Sequence, residues 1–219
     1  MSFQIAIDGP SASGKTEVAK KLSEILNITA IDTGAIYRAF TLFCLKENVD
    51  INDNDSVIAL IPKVEVNLSK DKVYLNGEDV SLCIRSNEVS IATSIVAKIC
   101  EVREFVSSIQ RKIANSTNVV MQGRDITSVV LPNAQIKIFL TASIEVRAKR
   151  RFLEMQAKGQ NDTYEEVLEN LKIRDKNDIT RDVSPLVKTE DSVEIDSSDL
   201  TVDQVVKIIL DIVYEKGLV

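Results

Sequence analysis

The sequence predicts an α/β fold: a parallel β-sheet flanked by helices, interrupted by an insert of antiparallel strands and helices. Three observations predict it. Short apolar runs alternate with amphipathic helical periods at both ends of the chain. A glycine-rich loop stands between the first such strand and the first helix. Between residues of about 62 and 90 the pattern switches to strict alternation with turn signals, the mark of hairpins.

Taken in order, residues 3–8 (FQIAID) read as a buried strand that enters GPSASGKT. Over 15–27, Val18, Ala19, Leu22, Ile25 and Leu26 keep helical spacing. A strand over 28–32 (ITAID) precedes a helix marked by Ile36, Ala39, Phe40 and Phe43. The insert, 62–115, opens with VEVNL, SKDK, VYL and the turn Asn76-Gly77, and closes with one helical segment of roughly 88–115. VVMQG (119–123) and IKIFL (136–140) resume the buried strands. A helix over 144–158 stops at Gly159, and Thr163 with Glu166 forms a capping-box pattern opening the next. SVEID (192–196) is the last strand. Thr201 and Gln204 cap a final helix whose Val202, Val205, Val206, Ile209 and Val213 face the core.

Composition narrows the chemistry. Hydrophobic residues at 44% and charged residues at 27% fit a globular chain, and no apolar run approaches the roughly 18 residues of a membrane span. The N-terminus lacks the basic start and apolar core of a signal peptide, so a cytoplasmic protein is expected. Three separated cysteines fit reduced, buried thiols rather than a disulfide framework or zinc site. A net charge of −6 argues against nucleic acid as a partner. The chain has no histidine, which excludes Ser-His-Asp triads, phosphohistidine relays and most catalytic zinc sites.

Gly9, Gly14, Lys15 and Thr16 satisfy G-x-x-x-x-G-K-[ST] in the strand–loop–helix context the motif needs. The glycines let backbone N–H groups approach phosphate oxygens, and the helix adds its positive N-terminal end. Gly9, Pro10, Ser11, Ala12, Ser13, Gly14, Lys15, Thr16 and Glu17 are therefore the predicted ATP-binding set, with the Thr16 hydroxyl on Mg2+.

A GTPase would carry NKxD, which is absent, and 219 residues are few for a motor. A small kinase needs a second anion site and mobile arginines. Arg38 follows the second strand; Arg124 and Asp125 follow the third, where open α/β sheets bind ligands. Arg147, Lys149, Arg150 and Arg151 crowd one helix, read either as a basic solvated face or as a lid contacting adenine and phosphate. In RDKNDITR, Arg174, Asp178 and Arg181 lie at i, i+4 and i+7, one helical stripe expected to face substrate, with Asp175, Lys176 and Asn177 toward solvent. A nucleotide phosphate attacks without a base, so the missing histidine fits phosphoryl transfer.

IDGPSASGKT, IDTGAIYRAF, QGRDITSVVLPNAQIKIFL and RDKNDITRDVSPL, in this order, resemble the bacterial cytidylate kinases over essentially the whole chain. The resemblance implies a single P-loop kinase domain spanning 1–219, with 62–115 as a CMP-binding insert and 147–182 as a short helical lid and substrate-binding helix. It implies γ-phosphoryl transfer from ATP, with Mg2+, to CMP or dCMP; a monomer is the default expectation, with neither nucleic acid nor membrane as a partner. By position it makes Lys15, Arg124 and Arg181 catalytic, and adds Arg147 and Arg151 to the ATP contacts. Thr33 and Arg38 fall near the acceptor, Arg38 on its phosphate. Ser94, Arg103 and Asp125 read the cytosine edge, Arg124 binds phosphate, Arg174 and Asp178 hold the sugar, and Arg181 reaches the phosphates. A fixed carboxylate at Asp125 accepts from the cytosine amino group and disfavours uracil.

The chain departs from the family pattern at three places. Thr127 and Ser128 stand where glycine and threonine are usual, Gln122 replaces a common acidic residue, and Thr33 replaces a frequent serine. Asp8 has two readings, a magnesium role or a hydrogen bond to a loop, of which the second is expected. Asp32 is equally open; Tyr37 is expected to pack rather than stack on a base. Two other functions stay open: a kinase for UMP, AMP or a non-nucleotide, and a nucleotide switch without turnover.

Overall fold

The computed structural model describes residues 2–69, 72–157 and 159–218. Lys70 and Asp71 of the expected SKDK turn, and Lys158 at an expected helix end, lie outside the described residues. The chain divides into two compact units, Met1–Ile31 with Thr117–Val219, and Asp32–Ser116. The second contains the whole of 62–115 and begins with the helix after the second strand.

The first unit is built on a five-stranded sheet. Its strands are β1 (Gln4–Asp8), β2 (Thr29–Asp32), β6 (Val119–Gly123), β7 (Ile136–Thr141) and β8 (Val193–Asp196), ordered β2-β6-β1-β7-β8. β1 runs parallel to both β6 and β7, and β7 parallel to β8. QIAID and VVMQG are apolar through their middles, with Gln4, Asp8 and Gln122 only toward their ends, because central parallel strands are covered on both faces. Ile5, Ile7, Val120, Ile138 and Leu140 are buried there, each worth ~1.5–3 kcal/mol against exposure.

Helices α1 (Lys15–Leu26) and α8 (Val202–Glu215) cover this core with Val18, Ala19 and Leu22 from one and Val205, Val206, Ile209 and Val213 from the other. The Thr201–Gln204 capping box closes the open N–H groups of α8, a contribution of about 1 kcal/mol. Helices α6 (Ile144–Ala157) and α7 (Tyr164–Thr180) pair around a smaller core of Ala148, Val167 and Leu171, with Phe152 edge-on to Tyr164 at 6.2 Å. Gly159 (φ +73) ends the first and the Thr163–Glu166 box starts the second. No helix among the described residues is long and apolar enough to cross a membrane.

The second unit packs α2 (Thr33–Lys46), the short α3 (Asn54–Ile58), α4 (Asn87–Val96) and α5 (Cys100–Ser116) with an antiparallel sheet, β3 (Val66–Ser69), β4 (Lys72–Leu75) and β5 (Glu78–Asp79). Ile36, Phe40, Val57, Val66, Val73, Val80 and Val102 meet in its core. Asn76 and Gly77 both take positive φ, as a two-residue hairpin turn between β4 and β5 requires.

Two expectations are corrected here. The single helical segment of 88–115 is two helices, α4 and α5. The break is stabilised by Arg103, whose guanidinium donates to the Ala97 carbonyl at 3.0 Å and so satisfies a group the end of α4 leaves open. The thiols are not all buried: Cys44 is, and burial pushes its pKa up to about 11, but Cys83 and Cys100 are exposed.

Gly9 is where the first unit tolerates least. A Cβ there would stand 2.0 Å from the Leu140 carbonyl oxygen, and its φ is +150. Gly9→Ala is expected to cost ~3 kcal/mol or more, since backbone must move to admit the methyl. The measurement is the urea midpoint, lowered at an unchanged m-value.

Candidate active site

The parallel register sets Asp8 of β1 beside Gly123 of β6, so the loops leaving these strands emerge as neighbours at the carboxyl edge of the sheet. The first is the glycine-rich loop. Gly9 (φ +150), Ala12 (φ +61) and Gly14 (φ +94) give it a curvature that ordinary extended or helical backbone does not reach. Gly14 is the N-cap of α1 and offers no side chain, so nothing of its own covers the first-turn N–H groups. Lys15 is buried and donates to the Pro10 carbonyl at 2.6 Å and to Ser13 Oγ at 3.2 Å. Its pKa lies well below the usual lysine range. Burial is the main cause and the Arg124 charge adds to it, while Asp8 and Asp178 oppose and Arg147 lowers it further.

The second loop begins at Arg124 and Asp125 and winds into one π-helical turn, Ile126–Val130. Asp8, fully buried, holds it. Its Oδ1 accepts from the Ile126 N–H at 2.9 Å, and its Oδ2 from the Thr127 N–H and hydroxyl at 2.7 Å each. Burial raises the Asp8 pKa, and the Thr127 and Ile126 donors pull it back. Both oxygens are thus committed to a loop, the second of the two readings of Asp8. Thr127 lies outside the positive-φ residues, so the missing glycine leaves no strain there. Asp125 is buried at the head of the turn.

Charged side chains from α7 and the residue after it gather beside this loop. Arg124 Nε donates to Asp178 Oδ2 at 2.7 Å, and Arg181 Nη1 stands 3.7 Å from Asp178 Oδ1. For Asp178, burial is the largest influence and pushes upward. Arg124, Arg181 and Arg174 together outweigh it and hold the carboxyl below its ordinary 3.8. The expected stripe is corrected at its end. Arg181 lies one residue beyond α7 with extended backbone (φ −67, ψ 142), and its Nε donates to the Ser184 carbonyl. The chain has turned: Ser184 takes φ +51, and the Leu186 N–H returns to the Asp178 carbonyl. Arg174 is exposed, as are Lys176 and Asn177.

Asp175 is a second correction, since it does not face solvent. It pairs with Arg147 at 2.7 Å, and the two side chains are 14% and 7% exposed. The signal was present in the sequence: Val167, Leu171, Asp175 and Asp178 follow at steps of four, four and three, one face of α7. Arg147 also donates to the carbonyls of Ala142 (2.9 Å) and Ser11 (3.2 Å), so it touches the glycine-rich loop. Arg151 instead pairs with Glu154 at the surface, and Thr16 and Glu17 are exposed.

The remaining predicted residues belong to the second unit. Thr33 opens α2 and is buried. Arg38, one turn on, donates to Asp32 at 2.8 Å, which assigns Asp32 a partner; Gly34 leaves room, because a Cβ there would meet Arg38 Nη1 at 2.9 Å. Arg103 is buried with its guanidinium 5.4 Å from the centre of the Tyr37 ring, so Tyr37 packs under a cation as well as against the core. Ser94 is exposed and donates to Ile91 of its own helix. No cluster of three or more carboxylates, thiols or imidazoles suited to a metal occurs among the described residues.

Comparison with known proteins identifies the family. Residues 5–215 match the family model described as cytidylate kinase. The chain belongs to the cytidylate kinase family. A relative named cytidylate kinase from Caldanaerobacter subterraneus subsp. tengcongensis is 50% identical over 207 residues, covering 94% of this chain and 92% of the relative. Another of that name from Bacillus licheniformis is 48% identical over 218 residues, covering 97% and 96%. A solved structure of an uncharacterized protein from Eubacterium ventriosum shares the fold with a TM-score of 0.50 at 18% identity, covering 97% of this chain and 98% of that one. The resemblance carried by the four sequence motifs is borne out.

The lowered pKa of Asp178 has a measurable sign. A carboxyl held below 3.8 in the folded state adds stability that is present at pH above about 4 and is lost as pH falls through its folded value. Asp178→Asn is expected to flatten the acid limb of the stability profile while lowering stability at neutral pH, because Arg124 and Arg181 lose their anion. Denaturation midpoints between pH 3 and pH 7 measure both.

Proposed function

We propose that this chain transfers the γ-phosphoryl group of ATP to CMP or dCMP, giving CDP or dCDP and ADP. The observation that carries the proposal is the family match over residues 5–215. The buried Lys15 beside the Arg124–Asp178–Arg181 cluster supports it, because a lysine whose charge burial and neighbouring cations disfavour is best served by an anion.

In this reading Lys15 exchanges the Pro10 carbonyl for donor phosphate oxygens, and the phosphate charge restores its proton affinity. The N–H groups of Gly9–Glu17 cradle the same phosphates. Arg124 and Arg181 stand over the transferred group and neutralise the charge that spreads onto its oxygens. Arg147, which already bonds the Ser11 carbonyl of the loop, flanks the donor, and the Arg151 side chain turns toward it as water is excluded. Asp125 accepts from the cytosine amino group, Arg103 and Ser94 complete the edge, Arg174 and Asp178 take the sugar, and Thr33 and Arg38 hold the acceptor phosphate. That phosphate is already an anion, so it attacks without a base and the absence of histidine costs nothing.

The Thr16 hydroxyl at the head of α1 is exposed and hydrogen-bonded to nothing among the described residues, a hard oxygen donor suited to Mg2+. Thr16 would hold Mg2+ that arrives with the nucleotide, and the ion would supply charge neutralisation on the donor phosphates. In this reading the enzyme acts as a monomer in the cytoplasm.

ADP release measured with CMP, dCMP, UMP, AMP and no acceptor tests the reading. Greatest turnover is expected with CMP or dCMP; a maximum with UMP or AMP would overturn the acceptor assignment, and release indifferent to acceptor would overturn the kinase. Asp125→Ala is expected to lower the preference for CMP over UMP about tenfold or more, the worth of one charged hydrogen bond, with ATP affinity within about twofold. Equal losses in both would assign Asp125 to the fold.

A further inference from the structure

A loop that gathers its N–H groups around one centre turns carbonyls away from it, and each such buried carbonyl needs a donor of its own. Three carbonyls of the glycine-rich loop take a side-chain donor. Pro10 accepts from Lys15 and Ser11 from Arg147, as described above; Ser13 accepts from the Ser197 hydroxyl at 3.1 Å. Lys15 belongs to the donor phosphates in the proposed reaction, so it does not hold its carbonyl throughout a cycle. Arg147 and Ser197 lie outside the loop and do.

Ser197 follows β8 and is 3% exposed. Its N–H donates to the Thr141 carbonyl at 2.8 Å, and its hydroxyl stands 3.0 Å from that carbonyl and 3.1 Å from Ser13's. Arg150 of α6 meets it with both terminal nitrogens: Nη1 donates to Ser197 Oγ at 3.1 Å and Nη2 to the Ser197 carbonyl at 2.6 Å. A serine hydroxyl has one proton and two lone pairs. With an arginine occupying a lone pair, the proton is directed at the Ser13 and Thr141 carbonyls and the rotor is fixed. Arg147 and Arg150 are one turn apart on α6, so one helix reaches the loop twice, at Ser11 directly and at Ser13 through Ser197. The RAKRR run thereby separates: 147 and 150 back the loop, while Lys149 is exposed and Arg151 pairs at the surface.

We infer that Arg150, acting through the Ser197 hydroxyl on the Ser13 carbonyl, is a positioning residue for the triphosphate-binding conformation of this loop. The inference rests on the reading of the loop as the ATP site. It makes donor binding, and not acceptor binding, depend on a serine and an arginine that touch neither substrate.

The test compares wild type, Ser197→Ala, Arg150→Ala and the double variant. Calorimetry with the β,γ-imido analogue of ATP and Mg2+ gives Kd, steady-state assays give KM for ATP and for CMP, and thermal unfolding gives Tm. Each single variant is expected to weaken the analogue and raise KM for ATP about fivefold, the worth of one neutral hydrogen bond. KM for CMP should stay within about twofold, and the double variant should be no worse than Arg150→Ala alone, because the two form one relay. Unchanged analogue affinity, ATP and CMP constants rising together in step with a fall in Tm, or additive losses in the double variant would each overturn the inference. If Ser197→Ala does not fold, Arg150→Lys takes its place, with about a threefold loss for ATP expected and no loss overturning it. Wild type that fails to bind the analogue would overturn the ATP reading itself, an outcome distinct from wild type binding and the variants matching it.

Discussion

The carboxylate of Asp8 is the constraint on which the first unit's chemistry hangs. It is fully buried, and burying a charge is expensive unless hydrogen bonds surround it. Three donors from one neighbouring turn surround this one. The exchange serves both sides. The carboxylate is satisfied, and the Ile126 and Thr127 N–H groups of an irregular π-helical turn gain the partners that regular structure would have provided. Since Asp8 immediately precedes the glycine-rich loop and Ile126 immediately follows Asp125, one bonded contact joins the root of the phosphate loop to the root of the Arg124–Asp125 loop. Parallel pairing brings the two strand ends level, and Asp8 locks them.

The charges around that joint behave oppositely for a reason the geometry makes plain. Lys15 is buried, Asp178 is half-buried, and the two influence each other, yet Lys15 is pushed away from its charged form and Asp178 is held in it. Both pay desolvation; what differs is company. Asp178 has Arg124, Arg181 and Arg174 beside it, while Lys15 faces Arg124 and Arg147 against Asp8 and Asp178, whose charges are already committed to other donors. The local field is positive within a chain of net charge −6. Such a field favours anions with several oxygens and offers little to neutral ligands.

Most of this was legible in the sequence because it rests on local signals. The strand–loop–helix around GPSASGKT, the buried runs VVMQG and IKIFL and the two capping boxes appear where pattern puts them, since each depends on residues only a few positions apart. What escaped depends on contacts between distant residues. Asp175 reads as a solvated charge until α6 places Arg147 against it. The division of 88–115 into α4 and α5 has no glycine or proline to announce it, and is held by an arginine side chain bonding a carbonyl six residues back. Arg181 looked like the last rung of a helical stripe, but the backbone leaves the helix at Thr180 and the side chain still arrives at Asp178 from the following turn. The meeting of Arg181 with Asp178 is thus made by the turn after the helix and not by a rung of the helix itself.

Thr127 shows how a departure from a family pattern can be absorbed. Glycine at that position would suggest a backbone demand, a positive φ or a close approach, and its replacement by a β-branched residue would then carry strain. Neither demand exists in this chain: the backbone at 127 lies outside the positive-φ region, and the residue is buried without displacing the turn from Asp8. The added side chain also supplies a third donor, its hydroxyl, to the carboxylate that most needs one. A glycine there would leave Asp8 with two N–H groups and a carboxyl pushed further toward its neutral form, because the Thr127 hydroxyl is the strongest of the interactions that oppose burial. The substitution therefore tightens the joint between the two loops.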